Sequence, residues 1–255
     1  MNPSDYLVEI CCGSYSDALA AAKGGAKRIE LNCALALGGL TPSAATLRLV
    51  KEQVPALKVI AMVRPRGAGF CYSEEEFFLM KEECKELLLA GADGIAFGFL
   101  KEDATIDIER TKALTCMIKE AGKEAVFHRA FDCCNDPFTA IEQLISLDVN
   151  RLLTSGQKNT AAEGLELIAQ LQEIYGSKIE LLAGSGINAD NAADILQKTG
   201  VYQLHSSCKA YLPDPTTQNS NVSYRIYSGQ NEMMYDIVSA ELVHQLVTEV
   251  AAFSR

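Results

Sequence analysis

A chain of 255 residues, 48% of them hydrophobic, can bury a sizeable core as one large domain or two small ones. Its formal net charge of −10 excludes general nucleic-acid binding, which needs a basic face against phosphates, but still allows a locally basic pocket for a small anion. No apolar run reaches the length of a membrane span, and the greasiest stretch, Glu86 to Leu100, is broken at Asp93.

The first residues, Met1-Asn2-Pro3-Ser4-Asp5, have no basic start and no apolar run, so no export signal is expected there. Short apolar strands then alternate with longer helical patterns. The strands are expected near Tyr6–Cys12, Arg28–Cys33, Lys58–Pro65, Gly94–Phe99, Ala125–Phe131, Arg151–Ser155, Ile179–Ala183 and Tyr202–Ser207. Helix starts are marked between them. Thr41-Pro42 and Asp136-Pro137 each put a capping residue before a proline at the first helical position. Ser73 with Glu76 forms a capping box. Phe77, Met80, Cys84, Leu87 and Leu88 then share one helix face, as do Val243, Leu246, Val247 and Val250 near the end of the chain.

Eight strands, each followed by a helix, predict an α/β fold of the (β/α)8 TIM-barrel type in a single domain, residues 1–255. A doubly wound open sheet ranks second, because no Gly-x-Gly-x-x-Gly follows the first strand. The stretch Leu212 to Met233, rich in Asn, Ser, Thr and Gln, reads as a long loop after strand eight on the active-site side.

Charged residues recur near the ends of these apolar strands. The outer face of each barrel strand must meet helices, so the period of two turns the polar positions inward. Val8 and Ile10 face out, leaving Glu9 and Cys11 inside. Ile29 and Leu31 do the same for Glu30 and Asn32. Met62 and Arg64 face in, with Arg66 just beyond. His128 and Asp132 face in, while Arg129 falls on the other face. Tyr202 and Leu204 turn His205 and Ser207 inward. These groups gather where barrel active sites are built. Internal salt bridges that plug the barrel are the structural alternative, but buried ions are a poor source of stability.

The turn Gly184-Ser185-Gly186 after strand seven, with Ser207 after strand eight, occupies the usual phosphate-cradle position of such barrels. Thr154 and Ser155 after strand six could add hydroxyls to the same mouth. Among the histidines, His128 is the best functional candidate, being inward and flanked by Arg129 and Asp132. His205, in an apolar strand, is a candidate for the anion-binding set with a satisfied core histidine as the alternative, and His244 on the last helix reads as structural or exposed. Nine cysteines without an export signal read as reduced thiols, and no Cys-x-x-Cys spacing suggests zinc.

Arg28-Ile29-Glu30-Leu31, Arg64-Pro65-Arg66-Gly67, Phe127-His128-Arg129-Ala130-Phe131-Asp132 and Leu153-Thr154-Ser155-Gly156 resemble the corresponding blocks of the CutC copper homeostasis family. The resemblance implies a (β/α)8 barrel, a cytoplasmic location, self-association and Cu(I) binding by cysteine. The family's Glu-x-Cys in the first strand is matched by Glu9-Ile10-Cys11. Its usual second-strand cysteine is replaced by Asn32, and Cys33 follows one residue later. The candidate ligands are therefore Cys11, with Cys12 and Cys33 as the thiols that could join it.

Two functions follow. One is copper handling through those cysteines. The other is an enzyme, of lyase, isomerase or hydrolase class, acting on a small anionic metabolite, phosphorylated ones included. There Arg64, Arg66 and Arg129 would hold the anion with the help of the loops. Glu9, Glu30, His128 and Asp132 would move protons.

Overall fold

Eight parallel strands pair in sequence order and close on themselves. In this computed structural model, which describes residues 6–216 and 222–253, they are β1 (Leu7–Cys12), β2 (Arg28–Leu31), β3 (Lys58–Met62), β4 (Gly94–Phe97), β5 (Glu124–Phe127), β6 (Arg151–Thr154), β7 (Glu180–Gly184) and β8 (Gln203–Ser206). The alternating helices are α1 (Tyr15–Lys23), α2 (Ala44–Gln53), α3 (Glu74–Leu89), α4 (Ile108–Glu120), α5 (Pro137–Ser146), α6 (Leu165–Tyr175), α7 (Ala189–Thr199) and α8 (Ala240–Phe253). Residues 1–5, where no export signal is expected, lie outside the described residues. Among the described residues no helix is long and apolar enough to cross a membrane.

Local chemistry explains most helix starts. Asp136 caps α5, with Pro137 at its first turn. Ser73 and Glu76 close a capping box on α3. At α2 the expected start is displaced: Ser43 is the cap, accepting from the Thr46 N–H. The Thr41 hydroxyl is engaged elsewhere, between the Arg64 backbone and the Glu83 carboxylate.

The strands' outer residues form the main core. Ile10, Ile29, Val59, Ile95, Phe127, Leu152, Leu181 and Leu204 are fully buried beneath the helices. Burying each large aliphatic or aromatic side chain contributes roughly 1.5–3 kcal/mol. Met80, Cys84 and Leu87 supply α3's share of this layer, and Val243, Leu246 and Val250 that of α8. The barrel interior has a small apolar cluster of its own, Ile60, Met62, Ala96 and Val126, on β3 to β5. The remaining strands turn mostly charged and polar side chains inward, with Leu153 and Leu182 among them.

After β8 the chain forms an antiparallel hairpin, β9 (Lys209–Pro213) with β10 (Met234–Val238). The expected loop from Leu212 to Met233 is thus mostly the outer end of this hairpin, and residues 217–221 within it lie outside the described residues. The hairpin is rooted in α1: Asp17 accepts from the Val238 N–H at 2.8 Å and from the Gly13 N–H at 3.0 Å.

Candidate functional site

The interior charges form two layers. In the lower one Arg28 donates from Nε to Glu9 Oε2 at 2.5 Å and from Nη2 to Gln203 at 2.6 Å. Arg151 bridges Glu180 and Glu124 at 2.6 and 3.0 Å. Gln203 in turn donates to Glu180. This half of the barrel is the salt-bridge plug. Arg28 and Arg151 share the inward parity of Glu30 and Leu153, which is the sequence signal that marks them. Each arginine is almost fully buried, so removing one partner leaves an uncompensated charge.

The upper layer rests on this plug. His205 Nδ1 lies 2.9 Å from Glu9 Oε1, which leaves Nε2 turned to Glu30, 3.9 Å from its Oε2. The Cys11 thiol donates toward Glu30 at 3.7 Å. Asn32 donates to Glu30 Oε2 at 3.0 Å and to Cys11 Sγ at 3.5 Å. One donor atom from each of Cys11, Glu30 and His205 falls within 4.8 Å of the other two, close enough to share a metal ion.

Electrostatics distinguish these groups. Burial alone would raise Glu9, but Arg28 and His205 hold it at about 2. Burial opposes the charge on His205, yet Cys11, Glu30 and Glu9 around it raise its pKa well above the ordinary value. Burial pushes the Cys11 thiol up to about 11 despite His205 nearby, and it raises Glu30 as well. Loading a metal would therefore require the Cys11 proton to leave and His205 to give up its Nε2 proton.

Above this cluster opens a cavity of about 620 Å³ at the C-terminal mouth of the barrel. Cys11, Glu30 and His205 form part of its wall. Arg64, His128, Arg129, Asp132, Ser185, Gly186 and Ser207 form much of the rest. Ser206 and Lys209 also line it; Lys209 follows Ser207 by two residues, past the end of β8, where strand parity no longer guides.

Several expected positions are corrected. Arg66 leaves the mouth, because Glu76 draws its Nε to 2.5 Å and loop carbonyls take the rest of its guanidinium. Cys12 is fully buried on the outer face beneath the helices. Cys33 does not swing inward: its backbone pairs with Leu40 and its thiol donates to the Thr41 carbonyl. Arg129 does reach the mouth, because β5 ends at Phe127 and residues Arg129–Cys133 turn as a 3-10 helix, which abolishes the strand parity.

Glu9 lies below the cavity, and it reaches the mouth only through His205. Asp132 is saturated. It accepts from Thr154 Oγ1, from the N–H groups of Ser155 and Gln157, from Ser155 Oγ and from Arg129 Nε, at 2.5–3.2 Å. It thereby fastens the loop that carries Thr154 and Ser155. Gly184 packs against Leu153, where a Cβ would come within 2.7 Å. Ser185 adopts φ +81° and donates to the Asn159 carbonyl, and Gly186 follows at φ +72°. Asn188 caps the helix that begins there, accepting from Asp190 and Asn191.

Comparison with known proteins places this architecture. The CutC family model matches residues 6–210. A family protein CutC of Treponema denticola is 49% identical over 218 residues, covering 85% of this chain and 87% of that protein. One from Vibrio vulnificus is 36% identical over 98% of this chain and 99% of the other. The solved structure of a CutC from Streptococcus agalactiae superposes with a TM-score of 0.75 at 32% identity, covering 79% of this chain and 98% of that one. At 15% identity, a 3-hexulose-6-phosphate synthase from Salmonella typhimurium shares the fold alone, with a TM-score of 0.63 over 97% of this chain and 99% of that one. The chain belongs to the CutC family.

Proposed function

We propose that this protein handles copper in the cytoplasm, and that Cys11 and His205, with Glu30 beside them, receive Cu(I). The relative from Streptococcus agalactiae is named for copper homeostasis. The observation that carries the reading here is the line Arg28–Glu9–His205. A carboxylate fixed by an arginine holds the imidazole by Nδ1 and leaves Nε2 for a metal. Such outer partners orient metal-binding histidines and raise their basicity. A thiolate and an imidazole both suit copper, and the thiolate suits Cu(I) best. Glu30 is a hard donor and serves as counter-charge rather than as a favoured ligand. Nine unbridged cysteines support a reducing compartment.

The test is an anaerobic competition titration against a Cu(I) chelator. Cys11→Ser should weaken Cu(I) binding and Cys33→Ser should not. Equal affinities for wild type and Cys11→Ser would remove Cys11 from the site.

A second reading is a barrel enzyme that takes a small anionic metabolite at the same mouth. It is favoured by the cationic side chains Arg64, Arg129 and Lys209, which line one cavity of an acidic chain. Self-association completes the proposal. Exposed Leu212, Tyr224, Ile226 and Tyr235 on the hairpin and the segment joining its strands offer apolar surface for it, and light scattering on the eluting protein measures the result.

A further inference from the structure

One stretch of the cavity wall holds a buried cation with no counter-charge. Arg64 is only 6% exposed. Its Nη1 donates to the carbonyls of Leu37 and Gly39 and its Nη2 to that of Ala68, at 2.7–3.0 Å. No carboxylate pairs with it among the described residues, whereas Arg129 has Asp132, Lys209 has Asp236 and His205 has Glu9. The buried Tyr72 hydroxyl also lies beside its guanidinium, so every group that meets Arg64 is neutral. Removing a charge from water without a compensating one is strongly unfavourable, so a fold that keeps Arg64 here is built for an anion that arrives from outside.

His128 supplies a second donor. It is 3% exposed and lines the same cavity. Its Nδ1 accepts from the Ala130 N–H at 3.1 Å, so the ring proton sits on Nε2, which is buried and unpartnered. Gly98 admits the ring, since a Cβ there would stand 2.5 Å from His128 Cε1. Phe70 joins the two residues: its ring lies 5.1 Å from the imidazole and 5.2 Å from the guanidinium carbon. Burial and the neighbouring Arg64 keep His128 neutral, with a pKa of about 3.

We infer that Arg64 and His128 bind the carboxylate of a small organic acid, an inference that rests on the second reading above. The charge balance selects the group. One uncompensated cation matches one carboxylate, whereas a phosphate dianion would leave a negative charge in excess. The surroundings select the rest of the molecule. Phe70, Met62 and Leu153 line the same space and suit a short carbon skeleton better than a bare inorganic ion.

The experiment is an NMR titration of the imidazole nitrogens in 15N-labelled protein with butyrate, and separately with inorganic phosphate, at constant ionic strength. Butyrate should shift the His128 Nε2–H signal saturably, and phosphate should bind at least about tenfold more weakly. Arg64→Lys, which keeps the charge and loses the guanidinium donors, should weaken butyrate by roughly tenfold or more. Arg64 also ties the loops of Leu37 and Ala68, so His128→Phe, which leaves those ties intact, is measured alongside and should also weaken butyrate. Phosphate binding more tightly than butyrate would overturn the carboxylate assignment and leave the anion reading standing. Butyrate affinity unchanged in both variants would overturn the assigned residues. No binding of either probe by the wild-type protein would overturn the inference and the second reading together.

Discussion

Asn32 Nδ2 lies 3.5 Å from Cys11 Sγ, on the inner face of adjacent strands, and donates to Glu30 as well. An amide therefore occupies the place from which a second thiol would meet Cys11. With one thiol the site is mixed, and with two it would offer Cu(I) a near-linear sulfur pair. Asn32→Cys should accordingly tighten Cu(I) binding, on the order of tenfold or more, which corresponds to about 1.4 kcal/mol. Anaerobic chelator competition reads the change.

The plug beneath the site is predicted to be structural. Arg28→Met would strand Glu9, which is 1% exposed, beside His205 alone. Breaking one side of a buried pair costs about 3–5 kcal/mol, or roughly 10 °C in melting temperature for a chain of this size. Adding Glu9→Gln should restore part of the loss. Urea unfolding of the two variants measures both effects, and additive losses would mean the pair is not coupled.

His128 should give acid stability a recognisable slope. Its pKa is held at about 3 in the folded protein by burial and by Arg64, against about 6.5 in the unfolded chain. Between these values the unfolded state binds more protons, so this residue makes stability rise with pH from about 3 to about 6.5 and contributes no slope above that window. The limit is about 1.4 kcal/mol per pH unit. His128→Gln should be flatter than wild type in denaturation series across this range and parallel to it above. Identical slopes would show that the ring is not held neutral.

Asp132 is predicted to fasten a loop rather than to exchange protons. Asp132→Ala removes an acceptor shared by Thr154, Ser155, Gln157 and Arg129. Bonds of this charged kind contribute about 1.5–3 kcal/mol each at most, and a loss of a few kcal/mol is expected. Hydrogen exchange should quicken at the Ser155 and Gln157 amides.

How far strand parity reaches decides what the sequence discloses. Glu9, Cys11, Glu30 and His205 lie inside regular strands, and the period of two places them inward as expected. Arg129 and Asp132 lie past Phe127, where β5 gives way to a 3-10 turn, so parity there assigns Arg129 to the wrong face. Arg66 follows the end of β3 by four residues, and its position is decided by Glu76 on the next helix. The proton on His128 Nε2 depends on a bond from the Ala130 backbone, and the isolation of Arg64 depends on which carboxylates fail to reach it. Neither relation has a signature in a single sequence. The β9–β10 hairpin has no such signature, because its two short strands, Lys209–Pro213 and Met234–Val238, are separated by a long polar segment instead of a tight turn.

In the proposed site Cu(I) meets a single sulfur, from Cys11, beside the His205 ring. Copper K-edge X-ray absorption of the Cu(I)-loaded protein tests it most directly. One sulfur scatterer is expected together with nitrogen or oxygen neighbours, with the sulfur lost in Cys11→Ser. Two or more sulfur scatterers, or a sulfur shell that survives in Cys11→Ser, would contradict it.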